Sequence, residues 1–246
     1  MNLLPGIHLV GSGWLGFGLS GRNDCHVFLV ADGDDAVLID AGFGDATETI
    51  IRHVEEAGIA KRTVSRILIT HAHPDHCAGA RSLAEHFDAE VLAASATADI
   101  LRRGDEDAAG LTAARAAGLY PRSSRLQPTE VRTINNGDIV TVGQIQIRTI
   151  ATPGHAGGHL CFTAHIDRRT VLFSGDLVFS RGRVAVLGTP DCDLTALAAS
   201  LRDVAALRPD VLLPGHGTLV LANAHEHLDI AVAALDLQQL PPPLLP

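Results

Sequence analysis

Apolar and polar residues along this chain form two kinds of segment: short apolar runs, and longer segments with helical spacing. The runs are rich in Val, Ile and Leu, which favours buried or half-buried strands. They predict strands at residues 7–10, 25–31, 36–40, 66–70, 90–93, 138–142, 145–151, 159–164, 170–174 and 211–213. The helical spacing predicts helices at residues 45–57, 76–86, 105–117, 194–207 and 224–237. Neighbouring strands mixed with helices predict layered sheets covered by helices.

The chain of 246 residues is long enough for one large domain, which we place at residues 1–240. Residues 95–130 are rich in Ala and Arg and mostly helical in pattern. They are expected either to cover the sheets or to form a lid with Tyr120 at its turn. Residues 241–246 form a proline-rich tail that cannot build a helix or a central strand, so we expect it to be extended or disordered.

Composition and charge indicate which partners and which cellular location are expected for this protein. The net charge is −9, and no basic stripe is present that would follow a phosphate backbone, so a nucleic-acid partner is not expected. No signal peptide and no stretch long enough to span a membrane are evident, so a membrane partner is not expected. The four cysteines are widely spaced, as expected for reduced thiols in a cytoplasmic protein.

The most informative chemistry lies at residues 70–76, directly after the predicted strand 66–70. Three imidazoles and a carboxylate occur there, from His71, His73, Asp75 and His76. Neutral imidazole and carboxylate are ligands that zinc, iron and manganese accept. Similar polar residues follow three later strands, namely His155, Asp176 and His216. Five histidines and two aspartates are enough for two metal ions that share one carboxylate.

The order His-x-His-x-Asp-His, Gly-His, Gly-Asp and Gly-His resembles that of the metallo-β-lactamase-fold hydrolases, from about residue 7 to residue 236. The resemblance implies an α+β fold, a four-layer αββα sandwich with the metal site along one edge of the packed sheets. It also implies the ligands: His71, His73 and His155 for one metal, Asp75, His76 and His216 for the second, and Asp176 as the bridge.

The implied cofactors are two divalent ions, with zinc expected and iron or manganese as alternatives. Such ions lower the pKa of bound water from about 16 to near 7, which would supply a hydroxide to attack an acyl carbonyl. Asp75 is the expected catalytic residue, orienting the nucleophile and moving a proton to the leaving group. Asp40 is expected either to fix the tautomer of a ligand histidine or to cap the turn before Ala41.

Asp176 separates the branches of the family, because β-lactamases of this fold usually lack a bridging aspartate here. The chain therefore resembles glyoxalase II, related thioesterases and lactonases, which implies a small-molecule acyl substrate. Only 30 residues follow His216, where glyoxalase II has a glutathione-binding helical region, and this weighs against hydroxyacylglutathione as the substrate. Two other interpretations stay open: a mononuclear iron persulfide dioxygenase, and a non-catalytic member of the family.

Candidate substrate contacts come from the loops around the predicted site. The glycine-rich stretch after residue 10 has the spacing of a dinucleotide fingerprint, but more glycines follow where a Rossmann loop needs a helix, so nucleotide binding is rejected. The same stretch is either a substrate loop or a plain hairpin loop. The two arginines after the Gly-Asp motif could bind a substrate carboxylate or be ordinary surface charge. The candidate contacts are Trp14, Phe17, Tyr120, His159, Phe179, Arg181 and Arg183. His159, four residues after His155, is expected either to contact the substrate or to support a predicted metal ligand from behind.

Overall fold

The computed structural model describes residues 1–60 and 63–244, and the chain divides into two compact units. The first unit comprises Met1–Ile134 with Val142–Gln144, and the second comprises Asn135–Thr141 with the chain from Ile145 onward. The predicted boundaries of one domain at 1–240 and of a lid at 95–130 stay predictions.

The first unit is built on a seven-stranded sheet in which the strands follow chain order. The strands are β1 Asn2–Leu4, β2 Ile7–Gly11, β3 Val27–Asp32, β4 Asp35–Ile39, β5 Val64–Leu68, β6 Glu90–Ala93 and β7 Val131–Thr133. β1 to β4 pair in antiparallel fashion, and β4 to β7 pair in parallel. Because parallel strands end at the same edge of a sheet, the residues after β4 and after β5 are brought close together.

Among the described residues of this unit, five α-helices accompany the sheet: α1 Thr47–Glu56, α2 Pro74–Cys77, α3 Ala80–Phe87, α4 Ser95–Arg103 and α5 Leu111–Ala116. Apolar side chains of the helices and strands form one buried cluster, in which Leu29 and Ile67 from the sheet join Ile50, Leu83 and Leu101 from the helices. Burial of several fully covered aliphatic side chains, each worth about 1.5–3 kcal/mol, holds the helices on the sheet.

The second unit contains a five-stranded sheet in the order β12-β11-β10-β9-β8. The elements are β8 Ile139–Val142, β9 Ile145–Ala151, β10 Leu160–Ile166, β11 Arg169–Gly175, β12 Val211–Pro214, α6 Leu194–Ala206 and α7 Ala224–Asp236. β9 and β11 both pair antiparallel with β10, and β12 pairs parallel with β11. β9, β11 and β12 therefore run in the same direction and end at the same edge. None of the helices in the described part of the chain is long and apolar enough to cross a membrane.

All ten predicted strands are present, with ends that differ by up to two residues. Two short edge strands, β1 and β7, were missed because three residues are too few for a periodic pattern. The helix predicted at 76–86 is split into α2 and α3. The break falls at Gly79, whose N–H donates to the carbonyl of Gly42 and not to the preceding helical turn.

The segment 95–130 is only partly helical. The helix predicted at 105–117 begins at Leu111, because Gly110 before it adopts a positive φ of 75°. Ala98, Leu101 and Leu111 are buried in the core of the first unit. The tail is extended over its described residues 241–244, in agreement with the first of the two alternatives. Residues 245–246 lie outside the described residues.

All four cysteines are free thiols, and they differ in burial. Cys25, Cys77 and Cys161 are buried, whereas Cys192 is half-buried near the start of α6. Burial raises the pKa of Cys161 to about 12 and that of Cys25 to about 12, and it raises the pKa of Cys77 as well. These three side chains therefore remain protonated, unreactive thiols at neutral pH.

We expect iodoacetamide at pH 8 to modify Cys192 in the native chain and to leave the other three cysteines unmodified, because alkylation needs an accessible thiolate. Peptide mass spectrometry after a short labelling pulse measures this directly. Labelling in denaturant is the control and should modify all four. Rapid native labelling of Cys161 would contradict the packing described here.

Candidate metal centre

The ligand segment 70–76 leaves the sheet at the end of β5 and turns at once into α2. Pro74 is the first residue of α2, where its fixed φ and missing N–H are compatible with a helix, and His73 is the N-cap. This geometry places His71 and His73 before the helix and Asp75 and His76 in its first turn. His71 and His76 are fully buried, His73 is 9% exposed, and the side chain of Asp75 is 16% exposed.

Asp40 directly follows β4 and organises this segment. Its Oδ1 accepts the Thr70 N–H at 2.8 Å, and its Oδ2 accepts the Thr70 hydroxyl at 2.9 Å. Oδ2 also lies 2.8 Å from Nδ1 of His76. Asp40 is 2% exposed, so its carboxylate is buried among groups that donate to it. Of the two alternatives for Asp40, the structure places it as the partner of a predicted ligand histidine.

These hydrogen bonds determine which imidazole nitrogen carries a proton. A carboxylate oxygen accepts, so Nδ1 of His76 donates to Asp40. Thr70 gives its single hydroxyl proton to Asp40, so its oxygen accepts from Nδ1 of His71 at 2.9 Å. In the neutral form, both imidazoles therefore carry the lone pair on Nε2, the form in which a histidine binds a metal.

The Nε2 atoms of these two histidines lie near further potential ligand atoms of the same unit. Nε2 of His71 is 2.9 Å from Nδ1 of His73. Nε2 of His76 is 3.7 Å from Oδ2 of Asp75. The first unit thus brings three imidazoles and one carboxylate together within residues 71–76, as the sequence motif predicts.

The second unit brings its three predicted ligands together at one edge of its sheet. His155 follows β9, Asp176 follows β11 and His216 follows β12. Oδ2 of Asp176 lies 3.7 Å from Nε2 of His155 and 3.6 Å from Nε2 of His216. All three side chains are at least nine-tenths buried. The common direction of the three strands accounts for this convergence.

Backbone groups constrain both the ring of His155 and the residue before it, Gly154. Its Nδ1 lies 2.9 Å from the carbonyl oxygen of Ala185, which can only accept, so Nδ1 carries the proton and Nε2 keeps its lone pair. Gly154 before it has a φ of 134°, and a Cβ there would lie 2.2 Å from the backbone nitrogen of Leu197 in α6. The glycine of this motif is thus required by the close approach of α6, and the Asp193 N–H donates to its carbonyl.

His159 positions Asp176. Its Nε2 accepts the backbone N–H of Asp176 at 3.1 Å, and its Nδ1 lies 2.8 Å from the hydroxyl of Thr152. The ring is 1% exposed. The predicted substrate contact at His159 is therefore not on an accessible surface, because both ring nitrogens face protein groups in the buried interior.

The other predicted substrate contacts fall into exposed and buried sets. Trp14 is 59% and Phe17 45% exposed, on a loop closed by backbone hydrogen bonds. Phe179 is fully buried, so a substrate contact predicted for this ring has no surface available. Its centroid lies 6.4 Å from that of His216, which places it as packing behind a predicted ligand. Tyr120 packs on Phe43, with ring centroids 4.5 Å apart, at the margin of the buried cluster of the first unit, and a substrate contact at Tyr120 stays a prediction.

The two arginines after Asp176 differ in exposure. Arg181 is exposed and has a positive φ of 63°, with its backbone N–H donating to Nδ1 of His227. Arg183 is half-buried, and its carbonyl accepts the N–H of Phe179. Binding of a substrate carboxylate by either side chain stays a prediction.

Sequence reasoning raised Asp40 and His159 as groups that could support a predicted ligand, and it missed the other groups that orient these residues. Thr70 and Thr152 directly flank ligand motifs, so their positions offered a signal. Ala185 offered none, because it acts through a backbone carbonyl and lies thirty residues from His155.

Comparison with known proteins places this arrangement in a family. Residues 20–216 match the sequence model of the metallo-beta-lactamase superfamily. The chain belongs to the metallo-β-lactamase superfamily. The described residues also contain groups of His and Asp side chains whose ligand atoms lie close enough to hold a metal ion.

Curated relatives within the superfamily include two kinds of named hydrolase. A thioesterase of Emericella nidulans is 29% identical over 82% of this chain. Hydroxyacylglutathione hydrolases of Cereibacter sphaeroides and Acidiphilium cryptum are 31% and 33% identical over 82% and 86% of it. The chain spans 48% of the length of the thioesterase, and 66% and 72% of the two hydrolases. The predicted resemblance to the glyoxalase II-like branch is confirmed.

Solved structures confirm the fold class. A metallo-β-lactamase of Cronobacter sakazakii matches with a TM-score of 0.74 at 20% identity, over 97% of this chain and 96% of that chain. The subclass B3 enzyme MEM-A1, from a soil metagenome library, matches with a TM-score of 0.69 at 20% identity, over 97% of both chains. At this identity the likeness shows the fold alone, which is the predicted α+β αββα sandwich.

We expect Asp40→Asn to weaken metal binding by about 10- to 100-fold, the usual cost of losing a partner that orients a ligand histidine. An asparagine NH₂ at the Oδ2 position can accept neither from the Thr70 hydroxyl nor from Nδ1 of His76. Competition with a chromophoric chelator measures the zinc dissociation constant. Asp34→Asn, which removes the same charge from an exposed turn, is the matched control and should bind like the wild type. Equal affinities for the two variants would contradict the assigned role of Asp40.

Proposed function

We propose that this chain is a metal-dependent hydrolase that cleaves a thioester, a lactone or a related acyl bond. One observation supports this most strongly. In both units, buried hydrogen bonds place a proton on Nδ1 of histidines whose Nε2 atoms lie near other imidazole or carboxylate groups. Such an arrangement matches the donor chemistry of a divalent metal site.

The donor set fits a metal better than it fits a purely structural cluster. His71 and His73 bring two imidazole nitrogens to 2.9 Å, and Asp176 lies between two imidazoles at 3.6 and 3.7 Å. In neutral His71, His76 and His155, these partners place the proton on Nδ1, so that the lone pair lies on Nε2, the nitrogen nearest the other potential ligand atoms.

Following the ligand order of the family, we propose that two divalent ions are bound, zinc being the expected metal. The proposed ligands are His71, His73 and His155 for one ion, Asp75, His76 and His216 for the other, and Asp176 for both. When bound, such ions supply a hydroxide nucleophile at neutral pH and polarise the acyl carbonyl.

The residues of the chain supply position and proton transfer. Asp75 is the proposed catalytic residue, because its partly exposed Oδ2 can hold a proton released by the nucleophile and give it to the leaving group. Asp40 and Ala185 orient ligand histidines, and His159 orients the backbone of Asp176. Trp14 and Phe17 offer exposed apolar surface for the acyl group.

The named relatives favour a thioester over other acyl bonds, since one is a thioesterase and others act on a hydroxyacyl thioester of glutathione by name. A lactone remains the second substrate class to be screened, because it presents the same electron-poor carbonyl.

Elemental analysis of protein purified without added metal is the first measurement. We expect about two zinc ions per chain, as a dinuclear hydrolase requires. A single iron per chain, with oxygen uptake on addition of glutathione persulfide, would instead support the persulfide dioxygenase. Absence of bound metal under conditions that load other zinc enzymes would contradict both.

We expect Asp75→Asn to lower kcat/KM for a reactive acyl thioester by at least about 100-fold, the lower end of the usual contribution of a general acid–base group. Release of free thiol, followed with a thiol reagent, gives the rate. Asp107→Asn, at an exposed position of the first unit, is the charge-matched control and should retain activity. Near-wild-type turnover by Asp75→Asn would remove this residue from the mechanism.

A further inference from the structure

The chain after α7 returns to pair with the segment that orients His155. The Val184 N–H donates to the carbonyl of Pro242 at 2.9 Å, and the Leu244 N–H donates to the carbonyl of Val184 at 2.8 Å. Val184 and Pro243 thereby form a short parallel β-bridge. We name residues 241–244 the C-terminal arm.

The composition of the C-terminal arm suits this pairing. Three consecutive prolines fix φ near −65° and favour an extended chain, so little conformational entropy is lost when the arm docks. Proline has no N–H, which leaves Leu244 with the one backbone donor in the arm. The described bond to Val184 uses this donor.

The pairing of the C-terminal arm with Val184 affects His155 through the next residue, Ala185. Its carbonyl belongs to the planar peptide that joins it to Ala185, and the bond from Leu244 fixes the plane of that peptide. The next carbonyl, that of Ala185, accepts from Nδ1 of His155 at 2.9 Å. Val184 is 1% exposed, so its pairing with the arm is shielded from competing water.

The arm also lies beside Gly217, the residue that follows His216. A Cβ placed on Gly217 would lie 3.8 Å from Cδ1 of Leu244, so this leucine covers the backbone next to His216. One short segment therefore lies beside the residues that position His155 and beside the residue that follows His216.

We propose that the C-terminal arm is a positioning element for the metal ligands of the second unit. By pairing with both backbone groups of Val184, it aims the Ala185 carbonyl at Nδ1 of His155 and so orients Nε2. The inference rests on the proposed function only in taking His155 as a metal ligand, because the hydrogen bonds themselves form without a metal.

The first test compares two truncations. A chain that stops after Leu240 loses the arm, whereas a chain that stops after Leu244 keeps every contact described above. We expect the shorter chain to bind zinc about tenfold more weakly or worse in chelator competition, the usual effect of losing support for a ligand histidine. The longer truncation should match the full chain.

A second readout works on metal-free protein. In the full chain, ¹⁵N-histidine NMR should show His155 as the Nδ1–H tautomer, with a proton protected from exchange by Ala185. In the chain ending at Leu240 we expect faster exchange of this proton and a larger share of the Nε2–H tautomer. If the full chain binds no metal, the proposed function fails, and this measurement still decides the role of the arm.

Point substitutions keep the test decisive if the shorter chain fails to fold. Leu244→Pro removes the N–H that pairs with Val184, whereas Leu244→Ala keeps it and removes only the side chain. We expect Leu244→Pro to reproduce the loss of zinc affinity and the faster exchange, and Leu244→Ala to have a clearly smaller effect. Unchanged affinity and exchange in Leu244→Pro, or equal losses in both variants, would overturn the proposal.

Discussion

The hydrogen bonds accepted by the buried carboxylate of Asp40 orient the predicted metal ligands of the first unit. Asp40 has a φ of 62°, a left-handed conformation that costs about 1–3 kcal/mol for a residue with a side chain. Its three hydrogen bonds, each worth about 1.5–3 kcal/mol because one partner is charged, outweigh that cost. The strain is thus retained because the carboxylate fixes the protons of two histidines at once.

In the second unit, hydrogen bonds to backbone groups orient the predicted ligands. A carbonyl from Ala185 orients His155, and the backbone N–H of Asp176 is held by His159. A backbone carbonyl oxygen can only accept, so the Ala185 carbonyl favours a proton on Nδ1 of His155. Its direction, however, depends on how firmly its own segment is held. This dependence gives the pairing between Val184 and the C-terminal arm a mechanistic consequence.

The two units therefore prepare their ligands in complementary ways, and both use the carboxyl ends of strands that run in one direction. Strand ends are suited to this purpose because the sheet fixes the backbone up to the last paired residue, and the side chains that follow are held by short turns. Gly154, the glycine of the first Gly-His motif, also helps to fix this loop, because it allows α6 to pack closely against the loop that carries His155.

The sequence by itself determined the strands, the family and the seven predicted ligands, because apolar periodicity and closely spaced His and Asp residues are local signals. It could not decide between the alternatives for Asp40, or show that Phe179 and His159 are buried, because burial depends on residues distant in the chain. Ala185 and the C-terminal arm were beyond prediction for a stronger reason. They act through backbone hydrogen bonds, which any residue except proline can donate and any residue can accept, so only the tertiary structure decides where they form.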